Sequence, residues 1–231
     1  MALPDDVRLL RDRVLTDLAS AHDYYADTKS AWRVVDDVIA TGYTLTVRNT
    51  VTGTVTTQTD LAVKARGYVA EQLTGATFQQ FISLFENFYF DLLGLWLTAY
   101  PQSLGKKMVE FKTVLDLPDK DAITQLVVRK ELNEVLYERP TEWFAYLEDK
   151  AKLGYPSANE IARIAEAKAT RDVLVHNRGI ANKTYELKAG SLARFKDGDT
   201  IDIPEDYHRE TWELICKVVA DVANAAIAKA K

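Results

Sequence analysis

Apolar residues recur every three or four positions between residues 4 and 28, at Leu10, Val14, Leu18, Ala21 and Tyr25, the spacing of one helix face. Ser30 stands as an N-cap before a second short helix, Ser30 to Ala40. At Tyr43 the period falls to two. Tyr43, Leu45 and Val47 alternate with Thr44, Thr46 and Arg48, Asn49 to Gly53 supplies turn residues, and Thr54 to Thr57 returns to β-formers. This pattern predicts one β-hairpin set into a helical chain. Helical periodicity resumes over Asp60 to Leu73. From Ala76 to Tyr100 the chain is apolar nearly all round a helix, which places that helix in the centre of a bundle or in an interface between chains. Pro101 ends or kinks it. Asp119 to Tyr137 and Thr141 to Leu153 read as two more helices, separated by Pro140. Ser157-Ala158-Asn159-Glu160 is a capping box ahead of an apolar run that should reach about His176, where Asn177 and Gly179 suit a stop. Residues 180 to 205 are polar and irregular, with short strands expected near Thr184 to Leu187. A last helix spans residues 207 to 230, and Ala223 to Lys231 forms its alanine-rich tail. The expected fold is all-α, mainly a helical bundle, with one inserted β-hairpin near residues 43–58. No linker divides the chain, so residues 1–231 are read as a single domain.

Composition supports this picture and narrows the setting. Ten glycines and six prolines are few, which favours long helices over many turns. The single cysteine, Cys216, allows no disulfide within one chain and reads as a small core residue in the last helix. Residues 1–6 lack a basic stretch followed by an apolar one, so no signal peptide is expected. The charge-free stretches around the most apolar helix, residues 72–85 and 92–105, are 14 residues each, short of the roughly 20 a bilayer requires. The expected location is therefore cytoplasmic, with no membrane partner. Net charge is −5, which argues against bulk nucleic-acid binding but not against a local site. Between Ile161 and Lys196 the balance reverses: Arg163, Lys168, Arg171, Arg178, Lys183, Lys188, Arg194 and Lys196 face only Glu166, Asp172 and Glu186.

Within that basic window the helix starting at Ser157 carries the candidate chemistry. Ile161, Ile164, Ala167, Leu174 and Val175 make its apolar stripe, and Arg171 falls on it. A guanidinium directed at a core must be paired or face a polar cavity; otherwise it lies at the stripe's edge and reaches out to solvent. His176 comes five residues later at the helix end. It serves there as a C-cap or, since histidine is the side chain suited to proton exchange near neutral pH, as a proton carrier. Five residues are about 140° on an ideal helix, so the two side chains of one chain point apart, a difficulty that a site shared by two chains would relieve.

The stretch Arg171-Asp172-Val173-Leu174-Val175-His176-Asn177-Arg178-Gly179-Ile180 resembles the HEPN superfamily, particularly its bacterial members with ribonuclease-type motifs: Arg, a polar residue, mostly apolar residues, then His, with Asn-x-Gly following. The motif covers about ten residues. The N-terminal half and the hairpin do not align. The resemblance implies a HEPN-like bundle that cleaves RNA without metal or cofactor. In it His176 exchanges a proton with the 2′-hydroxyl or the leaving 5′-oxygen, Arg171 stabilises charge on the scissile phosphate, and Asp172 orients Arg171 or binds substrate. Asn177, Arg178 and Lys183 are the candidate substrate-binding residues. The resemblance further implies a homodimer with a composite active site, a role as a toxin or in antiphage defence, and an antitoxin or defence-system partner. The alternative is a catalytically inactive HEPN-like module that binds RNA, nucleotide or protein; a third reading is a structural helical protein in which the motif is accidental. One branch of the family carries a modifiable tyrosine two residues after the histidine. Here that position is Arg178, which puts such control in doubt, and Tyr185 lies too far along to replace it.

The remaining constellations carry less. His22 and His208 have no metal-ligand partners at recognised spacings and read as surface or core-edge residues. No Walker loop, GxGxxG, HExxH or Ser/Cys nucleophile motif occurs. Asn87 and Asp91, one turn apart, form either a polar pair inside the bundle near Arg171 or the solvent face of the central helix. Phe85, Phe88, Phe90 and Trp96 read as core rather than as a base-stacking platform.

Overall fold

In the computed structural model, which describes residues 2–105 and 107–230, helix α1 runs unbroken from Leu3 to Ala40. Pro4 in its first turn is preset for helix, and Asp5 and Asp6 sit at the positive end of the helix dipole. Val7, Leu10, Val14, Leu18, Ala21 and Tyr25 are buried. The break expected at Ser30 is absent, because neither proline nor glycine occurs between residues 26 and 40. Beyond Tyr25 no α1 residue is buried, and Trp32 lies 6.0 Å from Tyr68.

The hairpin is present but short. Strand β1 (Val47–Arg48) pairs antiparallel with β2 (Val55–Thr56), Val47 opposite Thr56 and Arg48 opposite Val55. The Asn49 side chain makes the turn by accepting from the N–H groups of Val51 and Thr52, both at 2.9 Å. Val47, Val51 and Val55 are exposed, so neither face packs on a core, and pairing stops after two residues per strand.

Helix α2 (Gln58–Gly67), a six-residue π-helical stretch (Tyr68–Leu73) and α3 (Thr74–Ala99) follow without a loop. α3 is the axis of the bundle. Phe78, Phe81, Ile82, Phe85, Phe88, Tyr89, Leu92, Leu93 and Leu97 are each at most 1% exposed. Helices α1, α5 (Lys120–Leu136), α7 (Ala158–His176) and α9 (Glu205–Lys229) pack around it, so its apolar circumference is consumed inside one chain. Burial of each such side chain is worth about 1.5–3 kcal/mol. Pro101 ends α3 in a 3-10 turn, Pro101–Leu104. A short helix that the sequence pattern did not announce, α4 (Phe111–Asp116), precedes α5 (Lys120–Leu136) and α6 (Pro140–Ala151).

Helix α7 (Ala158–His176) begins at the expected capping box. Ser157 Oγ accepts from the Glu160 N–H, and the Glu160 carboxylate accepts from the Ser157 N–H at 2.8 Å. It stops at His176. Asn177 is the C-cap, and the chain reverses through Arg178 at φ +52° and Gly179 at φ +76°. The strands expected near Thr184 to Leu187 are instead helix α8 (Lys183–Ala189). Asn182 caps it, accepting from the Tyr185 N–H at 2.9 Å, and Tyr185 and Ala189, four residues apart, turn into the core. A lone bridge between Ile180 and Thr200 is the β-structure described in residues 180–205. Helix α9 (Glu205–Lys229) closes the bundle against α1, α3 and α7. Cys216 on it is half-buried against the core, and burial pushes its thiol up to about 11. Lys231, the end of the expected tail, lies outside the described residues. No described helix is long and apolar enough to cross a membrane.

Candidate active site

The C-terminal half of α7 borders a cleft of about 460 Å³ that also touches α3, α5, α6 and α8. Lys168, Asp172 and His176 stand four residues apart on α7, so they form one line along the helix, and Arg171 flanks it. All four line the cleft, as do Asn177, Asn182, Thr184 and Lys188. The 140° separation between Arg171 and His176 therefore does not divide them. Long side chains on a helix lean toward its N-terminus, and the cleft is wide enough to be bordered from both directions.

Arg171 is neither free nor dispersed into solvent. Its Nη2 donates to the Glu86 carboxylate on α3, and its Nη1 lies 3.3 Å from Asp172 Oδ1. Its Nε is buried with no partner among the described residues. Lys168 Nζ reaches Glu86 at 3.0 Å and Asp172 at 3.3 Å, and stands 5.5 Å above the ring of Trp143, the buried floor of the cleft. Lys188 Nζ, from α8, donates to Asp172 at 3.1 Å. Three cations thus face two carboxylates. Burial pushes the Asp172 carboxyl up, but the charge of Lys168, the hydrogen bond from Lys188 and the charge of Arg171 outweigh it and leave it below the ordinary carboxylate range. The site is therefore a charge-rich depression with a cation excess, partly shielded from water, where an anion meets less screening than on open surface.

His176 is exposed at the rim, and its ring has no hydrogen-bond partner among the described residues. Asn177 donates through its side chain to the Ile180 carbonyl, which ties the rim to the reversal after α7. Arg178 and Lys183 are exposed and do not line the cleft: the left-handed turn carries Arg178 past it, and Lys183 is the first residue of α8.

A second polar cluster, behind the cleft, fixes α8 in place. Glu166 is only 4% exposed, yet its carboxylate accepts from Thr170 Oγ1 (2.9 Å), Tyr185 OH (2.9 Å), Arg194 Nε (3.1 Å) and Tyr207 OH (2.5 Å). The Arg194 guanidinium also stacks 3.4 Å above the Tyr207 ring. Burial and the nearby Glu166 charge push both tyrosine hydroxyls up, so they stay protonated donors. One carboxylate thereby ties α7, α8, the 190–205 segment and α9 together. Tyr185, which it holds, lies three residues from both Asn182 and Lys188.

Sequence reasoning missed Glu86, Lys168 and Lys188 as site residues. The four-residue spacing from Lys168 to Asp172 and His176 was available in the sequence. Glu86 and Lys188 had no such signal, since only packing brings α3 and α8 to α7. Asn87 and Asp91 mark the solvent face of α3, with Asp91 paired to Arg13 at 2.9 Å; the acid that meets Arg171 is Glu86. His208 is not at a surface or core edge. It is fully buried, with Nε2 at 2.8 Å from Thr77 Oγ1 and Nδ1 without a hydrogen-bond partner among the described residues. His22 stacks on Trp212 at 4.1 Å. Phe85, Phe88 and Trp96 are core residues, and Phe90 packs at the core's edge against Trp143. No group of three or more His, Cys, Asp or Glu among the described residues is arranged to hold a metal ion. In comparisons with known proteins, no family model, no curated protein and no solved structure matches the chain.

Proposed function

We propose that this protein is an endoribonuclease whose α7–α8 cleft cleaves RNA without a metal ion, by attack of the substrate's own 2′-hydroxyl. The observation that carries the reading is that Arg171 and His176, the two ends of the motif, border one cleft in which Lys168, Arg171 and Lys188 outnumber Glu86 and Asp172. The likeness to the HEPN superfamily rests on the motif residues and agrees with it.

The chemistry divides among the side chains as follows. A scissile phosphate entering the cleft replaces the Asp172 contacts of Arg171 and Lys188, and the three cations stabilise the charge that builds on its non-bridging oxygens. The 2′-oxygen attacks phosphorus, the bond to the 5′-oxygen breaks, and a 2′,3′-cyclic phosphate and a 5′-hydroxyl result. His176, at the rim, takes the proton from the 2′-hydroxyl or supplies one to the leaving oxygen, and water exchanges the proton at the other oxygen. Asp172 holds Lys168, Arg171 and Lys188 in one group. Asn177, Asn182 and Thr184 offer hydrogen bonds to a base or sugar. A twofold dimer that brings two clefts together, action as a toxin or in antiphage defence, and an antitoxin partner belong to the same proposal.

The test is a labelled RNA incubated with the protein in excess EDTA. Cleavage is expected on RNA and not DNA, leaving a cyclic phosphate. His176→Ala should lose about 10²-fold or more, and Arg171→Lys should rescue Arg171→Ala poorly, because one point charge does not reproduce the fork. His22→Ala is the control, since His22 lies on α1 against Trp212. Unchanged cleavage by His176→Ala, or a requirement for added metal, would overturn the proposal. A second reading, a cleft that binds RNA without cutting it, is favoured by the absence of a described partner to orient His176. It predicts binding of RNA with no cyclic phosphate formed.

A further inference from the structure

The central helix α3 is built of core side chains, and Glu86 is set between Phe85 and Phe88, each 1% exposed. The other acid of α3, Asp91, faces outward to Arg13. Glu86 instead faces α7. One carboxylate oxygen accepts from Arg171 Nη2 and the other meets Lys168 Nζ at 3.0 Å, with the Glu86 side chain only 20% exposed. The Arg171 fork is thus gripped at two ends, by Glu86 from α3 and by Asp172 from its own helix. The two grips differ. Asp172 is adjacent to Arg171 in sequence and moves with it, whereas Glu86 belongs to the most deeply packed element of the bundle.

We propose that Glu86 is a positioning residue for Arg171: it fixes the guanidinium against the bundle core so that the fork stays aimed at the cleft, and it offsets one of the cleft's three positive charges. This inference rests on the RNA-cleavage reading for its kinetic consequences, but not for its structural one. An arginine side chain has several free torsions, and transition-state stabilisation by a guanidinium depends on its being held before substrate arrives. The carboxylate also weakens ground-state binding, because its charge repels an incoming phosphate. Removing the carboxylate charge should therefore tighten binding, while removing the acceptor should slow the reaction. A residue that merely helps the protein fold would not separate binding from rate in this way.

Two variants distinguish the roles. Glu86→Gln keeps an oxygen that accepts from Arg171 and drops the charge. Glu86→Ala drops both. The measurements are kcat and KM on labelled RNA, Kd for a 2′-O-methyl RNA that cannot be cleaved, and the exchange behaviour of the Arg171 guanidinium by NMR without substrate. Glu86→Gln should bind the uncleavable RNA a few-fold more tightly and keep kcat within about 3-fold. Glu86→Ala should not bind more weakly than the wild type, should lose about 10- to 100-fold in kcat, and should show faster rotation of the Arg171 guanidinium than the wild type. Arg171→Ala combined with Glu86→Ala should be no slower than Arg171→Ala alone. A kcat within 3-fold of wild type in Glu86→Ala, while Arg171→Ala is inactive, would overturn the positioning role and leave the RNA-cleavage reading standing. Full activity in Arg171→Ala would sink that reading instead, and the NMR comparison would still decide whether Glu86 fixes Arg171. Rotation of the Arg171 guanidinium in Glu86→Ala as slow as in the wild type refutes the inference outright. Should Glu86→Ala fail to fold, Glu86→Gln carries the test: equal or weaker RNA binding by that variant contradicts the charge offset.

Discussion

Replacing Glu166 by alanine tests whether one buried carboxylate sets the geometry behind the cleft. The substitution deprives Thr170, Tyr185, Arg194 and Tyr207 of their shared acceptor at once. Removing one partner of a buried ion pair costs about 3–5 kcal/mol, most of it the penalty of leaving the other charge unpaired. Arg194 softens this, because its side chain is 26% exposed and keeps a hydrogen bond to the Asp202 carbonyl at 3.3 Å. The three hydroxyls push the other way, each losing about 0.5–1.5 kcal/mol. The expected loss is about 3–4 kcal/mol. For a chain of this size, 1 kcal/mol corresponds to about 2–4 °C in Tm, so calorimetry should register a fall of about 6–16 °C. Glu166→Gln retains one acceptor oxygen but not the charge facing Arg194, and should lose about half as much. Because the clamp holds α8, both variants should also bind RNA more weakly through misplacement of Lys188 and Asn182, with Glu166→Ala the worse. Stability of Glu166→Ala within about 0.5 kcal/mol of wild type by urea denaturation would mean that the four donors find other partners and that the clamp does not fix α8.

Acid should destabilise the fold through His208. Burial first, then the charge of His22, holds its imidazole down from 6.5 to about 4. The unfolded chain therefore binds that proton more tightly, so the contribution of His208 is complete above about pH 6.5, declines as pH falls, and is lost by about pH 4. The full effect is about 3 kcal/mol, and His208→Gln should flatten the loss between pH 6.5 and 4 in denaturant titrations; an unaltered pH profile would refute it. Arg178→Gly should raise stability by about 0.5–1 kcal/mol, because Arg178 holds φ +52°, which glycine adopts without strain. A lower Tm in this variant would contradict the strain argument. Lys188→Ala should weaken RNA binding and reduce its salt dependence by about one phosphate contact, whereas an unchanged salt slope would place Lys188 outside the binding surface. Light scattering at micromolar protein should give the mass of a dimer that falls apart only on dilution, and a monomer throughout that range would remove the paired-cleft part of the proposal.

What the sequence by itself determined was local. The three- and four-residue spacing from Leu10 to Tyr25 and the capping box at Ser157 gave helices where helices stand. The Asn49–Gly53 turn gave the hairpin, and the run of apolar residues from Ala76 to Tyr100 gave a helix that had to be central somewhere. Each of these signals is carried by residues within a few turns of one another, and the energies that produce them act over the same range. The sequence erred where a local signal was weak. It divided α1 at Ser30, although nothing in residues 26–40 stops a helix. It read strands at residues 184–187, where the Asn182 cap and the four-residue spacing of Tyr185 and Ala189 support helix. Tertiary packing decided the site. Whether Arg171 faced core, solvent or a polar cavity depended on what stood opposite, and Glu86 is 85 positions away in the chain. The choice between a central helix and an interface helix depended on whether α1, α5, α7 and α9 covered α3. The placement of Lys188 beside Asp172 depended on a carboxylate, Glu166, that reads in sequence as one more charge on a helix. Pairings of this kind are settled by desolvation and by which surfaces meet, and neither leaves a periodic mark along the chain.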